Sequence, residues 1–314
     1  MERAPMVDYF KRRAVILLGV LVLLVIGEIF LRMVFGFTDA VLFQEDAQIE
    51  YLAVPNQDRY RFGNRIRYNE FSMRSEPLKG DSRRILGMGD SILNGGALCD
   101  QEALATYLLE REFLIESGQN IQVLSISAPS WGPDNAMAYL EKFGDFNAEI
   151  IFLVTSSHDA YDNMNFTPVV GTSKNYPDKQ YSLAYAEGLD RYFLPWLGRN
   201  LKGKKRVTGS FDSSKPDKIF NSGFQDIFSY TQNHEIPFFL YLHPELSEVK
   251  KGRYNKKGQL ILEFAQENNI RVINGLAVSR AEYYLDNIHL NETGQQFLFE
   301  QLYPHLKGIM ISGN

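Results

Sequence analysis

The side chains best suited to nucleophilic chemistry lie far apart in the chain: Ser91 in its first third, Asp286 and His289 near its end. Ser91 stands in "RRILGMGDSILNGG", where an apolar run breaks on glycines and then offers an aspartate and a serine. A serine hydroxyl is a weak nucleophile until a base takes its proton. An imidazole titrates near neutral pH and can hand the proton on to a leaving group, which makes His289 a suitable base. The D-x-x-H spacing lets Asp286 fold back in one turn onto His289 Nδ1, fixing the tautomer and stabilising the cation. Phosphate binding suits the same stretch poorly. Gly87 and Gly89 begin like a dinucleotide turn, but Ile92 stands where the third glycine belongs, and the Lys-Ser/Thr ending of a phosphate loop is missing. Taken alone, Ser91 also reads as a helix N-cap and His289 as a surface histidine.

These residues need a scaffold, and the pattern after residue 83 predicts one. Arg84–Met88, "IQVLSIS", "EIIFLVTS", "PFFLYLH" and "IRVING" are short apolar runs suited to strands buried on both faces. Between them come helical periodicities: "DQEALATYLLEREFLIES", "PDNAMAYLEKFG" with Pro133 at its start and Gly144 at its end, "DKIFNSGFQDIFSYTQN", "KKGQLILEFAQEN" and "NETGQQFLFEQLYPHL". The alternation predicts an α/β fold, a parallel sheet sandwiched between helices. In such a sheet reactive groups gather in loops at the carboxyl ends of the strands. Those loops hold Asp90 and Ser91, "APSWGPDN", "SSHDAYDN", His243, and "LDNIHLNETG". Asp90 is expected to orient its loop and His243 to line the site. Trp131 is expected to be exposed there and able to stack on a sugar ring, or else to pack in the ordinary way. Asp159 and Asp162 have no partners at metal-ligand spacing, so no metal is expected.

"GMGDSILNGG" and "YLDNIHLNETG" resemble the first and last blocks of the SGNH/GDSL hydrolase superfamily, from about residue 84 to the C-terminus. "RYNEFSMRSEP" is similar to the segment that often leads into the domain in membrane-anchored members. The resemblance implies a five-stranded α/β/α sandwich, a Ser91–His289–Asp286 triad, a shallow site for acyl esters, and neither metal nor organic cofactor. Two middle blocks depart from the pattern. "SAPSWGP" puts Ser130 where the family's oxyanion-hole glycine stands, with Gly132 two residues on. "SSHD" puts His158 where the family has its oxyanion asparagine. The resemblance thus implies an oxyanion hole of the Ser91 and Ser130 amides with His158, and Trp131, Gly132, His243 and Asp159 as possible substrate contacts. Loss of one oxyanion donor costs about 3 kcal/mol in the transition state, so His158 separates a fast enzyme from a feeble one.

Three regions follow: residues 1–37, a cytoplasmic N-terminus and membrane helix; 38–82, a stem with a hairpin around Gly63–Asn64; and 83–314, the hydrolase-like domain with an insertion at about 163–214. Lys11–Arg13 precede an apolar stretch, Ala14–Phe37, whose uninterrupted core ends at Gly27 after about 14 residues, short for a span. Counting on past Glu28 to Phe35 brings it to spanning length, with Glu28 and Arg32 an i,i+4 pair. No small-x-small cleavage site follows, which favours an uncleaved signal anchor over a cleaved signal peptide. The basic flank then keeps the N-terminus cytoplasmic and the body outside the membrane. A net charge of −5 lacks the basic footprint of a nucleic-acid binder, and Lys202–Arg206 reads as a solvated loop. Cys99 is the single cysteine, so no internal disulfide forms. The function expected is esterase action on an O-acetyl group of a polysaccharide. The alternatives are acyl transfer to a polysaccharide through the same acyl-serine, and a non-catalytic glycan-binding role in an export or synthesis complex.

Overall fold

The apolar runs after residue 83 become strands and the amphipathic runs between them become helices, in a computed structural model that describes residues 4–201 and 219–312. Lys202–Arg206, the end of the expected insertion and the start of the helix expected from Asp217 lie outside the described residues. The chain begins with α1 (Ala4–Phe35). Two small pairings follow, β1 (Phe43–Asp46) with β2 (Glu50–Ala53) and β3 (Gln57–Arg61) with β4 (Asn64–Tyr68). β5 (Arg83–Gly89) leads through the single turn α2 (Ser91–Asn94) to α3 (Ala105–Ser117), and β6 (Ile121–Ser127) leads to α4 (Pro133–Phe143). After β7 (Ile150–Ser156) comes the excursion that contains α5 (Ala184–Glu187) and α6 (Leu194–Leu201). The alternation resumes with α7 (Gly223–Asn233), β8 (Phe238–His243), the short α8 (Leu246–Val249), α9 (Lys256–Glu267), β9 (Arg271–Asn274) and α10 (Glu292–Ser312).

β5 to β9 form one parallel sheet in the order β6-β5-β7-β8-β9. Alternate residues of each strand face opposite sides, so the sheet divides its apolar residues between two cores. Leu86, Met88, Leu124, Ile126, Ile151 and Leu153 belong to one, with Tyr139 and Leu140 of α4, Phe224 and Ile227 of α7 and Ile261 of α9. Ile85, Val123, Ile150, Phe152, Val154 and Phe239 belong to the other, with Leu109 and Phe113 of α3 and Leu298 and Leu302 of α10. This is the three-layer α/β/α sandwich with five parallel strands. The chain leaves β5 for β6 on one side and then β7 on the other. β5 is therefore the switch point, outside whose carboxyl end open sheets of this kind bind ligands.

The contacts divide the chain into two units: Met1–Ala40, Tyr60–Gly63 and Lys179–Gly209 in one, and Val41–Arg59, Asn64–Asp178 and Ser210–Asn314 in the other. This corrects the expected three regions. Residues 41–59 and 64–82 are not a separate stem: Phe43, Ile49, Tyr51, Ile66, Tyr68 and Met73 are buried in the first sheet core. The insertion is divided too, residues 163–178 going with the sheet and the helical part with α1. α1 includes a stretch, Tyr9–Phe35, of 27 residues that is long and apolar enough to cross a membrane.

Candidate active site

Asp90 follows β5 and caps α2, its Oδ1 accepting from the Ile92 amide at 2.8 Å. Ser91 is the first residue of that turn, so its own N–H lies outside the turn's internal hydrogen bonds. The turn is clamped from below by Asn94, whose side chain accepts from the Tyr68 hydroxyl at 3.0 Å and donates to the Ser127 carbonyl at 2.8 Å. The loop that follows wraps the fully buried Arg74, which donates to the carbonyls of Gly96 (2.6 Å) and Cys99 (3.1 Å) and to Gln101 Oε1 (2.8 Å). Sequence reasoning singled out neither Arg74 nor Asn94. The one signal was the similarity of "RYNEFSMRSEP" to a lead-in segment.

The three distant residues come together. Ser91 Oγ lies 3.1 Å from His289 Nε2, and His289 Nδ1 lies 2.7 Å from Asp286 Oδ2. Asp286 Oδ1 accepts from the amides of Ile288 (2.8 Å) and His289 (2.9 Å), so the D-x-x-H segment closes on its own carboxylate. Partial burial pushes the Asp286 carboxyl up, but the His289 ring and these two amides outweigh it and hold its pKa below the ordinary value. An ionised Asp286 accepts a hydrogen bond from the Nδ1–H of His289, which leaves Nε2 to accept from the Ser91 hydroxyl.

His243 supports this segment from beneath. Expected to line the site, it is instead 1% exposed, and its Nε2 faces the Ile288 carbonyl at 3.0 Å. Burial lowers its pKa to about 4, so the ring is neutral and its Nε2–H donates to that carbonyl. Around it the Leu246 amide donates to the Asn287 carbonyl at 2.7 Å and the Asn287 side chain donates to Glu245 Oε2 at 3.0 Å.

Behind Asp90 lies a second cluster that the sequence did not announce. His158 Nε2 lies 3.2 Å from Asp159 Oδ1 and 3.5 Å from Asp90 Oδ2, and its Nδ1 lies 2.5 Å from Ser156 Oγ. Asp159, expected as a possible substrate contact, is buried. Its Oδ2 accepts from the Thr155 hydroxyl (2.8 Å) and the Ser156 amide (2.7 Å). Asp90 Oδ2 and Asp159 Oδ1 are buried without a hydrogen bond of their own. Burial and then the Asp159 charge push Asp90 up to about 7. Burial works against a charge on His158, but the Asp159 and Asp90 carboxylates prevail and raise its pKa. Both ring nitrogens of His158 therefore face protein groups. The expected absence of any metal-ligand set also needs correction: these three residues offer ligand atoms within 4.8 Å of one another, a donor set that could hold a cation. Chain spacing hid it because Asp90 comes from the loop after β5 and the other two from the turn after β7.

The loop after β6 also differs from expectation. Trp131 is not exposed: it is 2% accessible, donates from Nε1 to the Tyr51 carbonyl at 3.2 Å and packs against Tyr139. Gly132 is buried, its amide donating to Asn135 Oδ1 at 2.8 Å. A side chain there would meet the Asp162 carbonyl at 2.0 Å, which explains the glycine and removes it as a substrate contact. Ser130 is exposed, with φ +61, the left-handed conformation that favours glycine. The Tyr51 and Tyr176 hydroxyls hold the preceding Pro129 carbonyl at 2.6 and 3.2 Å.

No protein-family model matches the chain, and no curated protein matches it. Solved structures similar to it are esterases and acylhydrolases. An acetyl xylan esterase is 14% identical with a TM-score of 0.44, covering 71% of this chain and 99% of that one. A lipase/acylhydrolase from Enterococcus faecalis is 14% identical with a TM-score of 0.41, covering 72% and 96%. A GDSL-like lipase from Bacteroides thetaiotaomicron is 11% identical with a TM-score of 0.36, covering 73% and 89%. The reading of the chemistry rests on the side chains themselves.

Proposed function

We propose that the chain is an SGNH/GDSL-type serine esterase that removes an acyl group, most simply O-acetyl, from a polysaccharide outside the cytoplasmic membrane. The hydrogen-bonded chain Ser91–His289–Asp286 carries this reading. Ser91 Oγ attacks the ester carbonyl as its proton passes to His289 Nε2. The tetrahedral intermediate collapses to an acyl-serine, and the departing alcohol takes that proton. Water, deprotonated by His289, then attacks the acyl-serine and releases the acid. The Ser91 and Ser130 amides stabilise the oxyanion, while His158 acts from behind, through its contacts with Asp90 and Asp159, rather than by direct contact. A small acyl group on a large polymer suits this site because the reactive groups are open to solvent: the side chains of His289 and Asp286 are 33% and 54% exposed. Lys11–Arg13 before the apolar helix favour a cytoplasmic N-terminus and an external catalytic domain.

The test is a fluorophosphonate probe together with turnover of acetylated xylan or mannan. Wild-type protein should be labelled and should release acetate. Ser91→Ala should lose the label and lower the rate by at least about 10⁴-fold. Acetate release that survives Ser91→Ala overturns the mechanism.

A further inference from the structure

The helical run Ala184–Leu201 is built inside out. Glu187 and Arg191 turn to the interior of its unit: Glu187 is fully buried and accepts from the Arg61 guanidinium, from Arg191 (3.2 Å) and from the Thr38 amide (2.5 Å). Its large apolar side chains face outward. Leu189, Phe193 and Trp196, at i, i+4 and i+7, are 50%, 49% and 53% exposed. In water this arrangement exposes apolar area and buries ions, the reverse of what a surface helix gains from. A lipid interface reverses that balance, since an apolar helix face sinks about 5–10 Å into the boundary between headgroups and acyl chains.

The run is also fastened to the helix that would cross the bilayer. Glu28 of α1 accepts from the amides of Ala184 (2.7 Å) and Tyr185 (3.1 Å), capping the start of the run, and Arg32 donates to the Ser182 carbonyl at 2.8 Å. The Tyr185 hydroxyl fills the space beside Gly27, where a Cβ would lie 1.8 Å away. Glu28 stands about 22 Å along the helix from Arg13, short of the roughly 30 Å of hydrocarbon core, so a segment tied to Glu28 meets the outer leaflet's boundary.

We infer that Ala184–Leu201 is a membrane-interface collar, with Leu189, Phe193 and Trp196 seated in the outer leaflet of a lipid bilayer beside α1. The inference rests on the reading of α1 as a retained membrane helix. The capping of Ala184 by Glu28 supports that reading, because a cleaved leader has no reason to be built into the fold.

The chain has two tryptophans: Trp196 on the proposed face, and Trp131, buried and serving as an internal control. The full chain is reconstituted into phosphatidylcholine vesicles brominated near the headgroup or near the chain end, and its intact mass is measured. Shallow bromines should quench the Trp196 emission about twofold and deep bromines less, as expected of an interfacial indole. Trp196→Phe should abolish the quenchable component, and Leu189→Ser with Phe193→Ser should weaken it. A full-length mass with unquenched, water-like Trp196 emission overturns the collar and leaves the anchor standing. An unquenched but blue-shifted Trp196 that shifts red when a dimer dissociates assigns the face to a second copy and also overturns it. A mature chain lacking α1 removes the anchor reading and the collar together.

Discussion

Two histidine–aspartate clusters flank the turn at residues 90 and 91, and they differ chiefly in their access to water. On one side His289 and Asp286 are partly exposed, and one nitrogen of His289 faces the Ser91 hydroxyl. On the other side Asp90 and Asp159 are 2% exposed, and both nitrogens of His158 face protein groups. In the first, an exchangeable proton and an open approach allow reaction. In the second, low local dielectric strengthens attraction between the ring and the carboxylates and makes any unpaired charge costly. Under the proposed function the same residue types serve as a reactive relay in one place and as an electrostatic foundation in the other. The two are joined through the adjacent residues Asp90 and Ser91.

If that distinction holds, the clusters should separate cleanly between rate and stability. Asp286→Asn should lower the rate of acetyl-ester hydrolysis by about 10⁴-fold through loss of the correct His289 tautomer. Its unfolding free energy should stay within about 0.5 kcal/mol of wild type by urea titration. A large stability loss with the rate intact would erase the contrast. Asp159→Ala should do the opposite, costing about 3 kcal/mol of unfolding free energy. It strands the Thr155 hydroxyl and the Ser156 amide and removes the carboxylate beside His158 Nε2. Unchanged stability would mean that the buried cluster is not a foundation.

His243 gives the comparison a pH axis. Its folded pKa of about 4 lies below the ordinary histidine value, so the unfolded chain takes up the proton first as pH falls. Its contribution to stability is intact above about pH 6.5 and is lost as pH falls toward 4, amounting to about 3 kcal/mol. His243→Gln keeps a donor for the Ile288 carbonyl and should flatten that part of the stability–pH curve in denaturant titrations. An unchanged slope would assign the acid sensitivity to other groups. The smallest effect is expected at Ser130, where Ser130→Gly relieves a left-handed backbone and should raise stability by about 0.5 kcal/mol. If the residue serves only through its amide, the rate should not change, and a fall in rate would give its hydroxyl a role.

Much of this was legible in local pattern. The strands after residue 83 alternate between two cores, and Pro133 and Gly144 bound α4 as their chemistry suggests. Some boundaries moved for local reasons. The helix expected from Asp100 starts instead at Ala105, because Asp100 caps a short 3-10 turn and Leu104 is extended. α10 continues to Ser312 past Pro304, with Leu302, Leu306 and Met310 buried along one face.

The sequence by itself determined the periodicities, the turn chemistry at Ser91 and the return of Asp286 onto His289, because each depends on residues within a turn of one another. Only the tertiary structure decided what depends on burial and on partners distant in the chain. It put Trp131 under Tyr51, His243 beneath Ile288, and His158 between carboxylates from the turns that follow two strands. It also turned Glu187 of the run Ala184–Leu201 inward onto Arg61. No local pattern encodes these outcomes, because the free energy of a buried charge or an exposed aromatic is set by whatever the rest of the fold brings beside it.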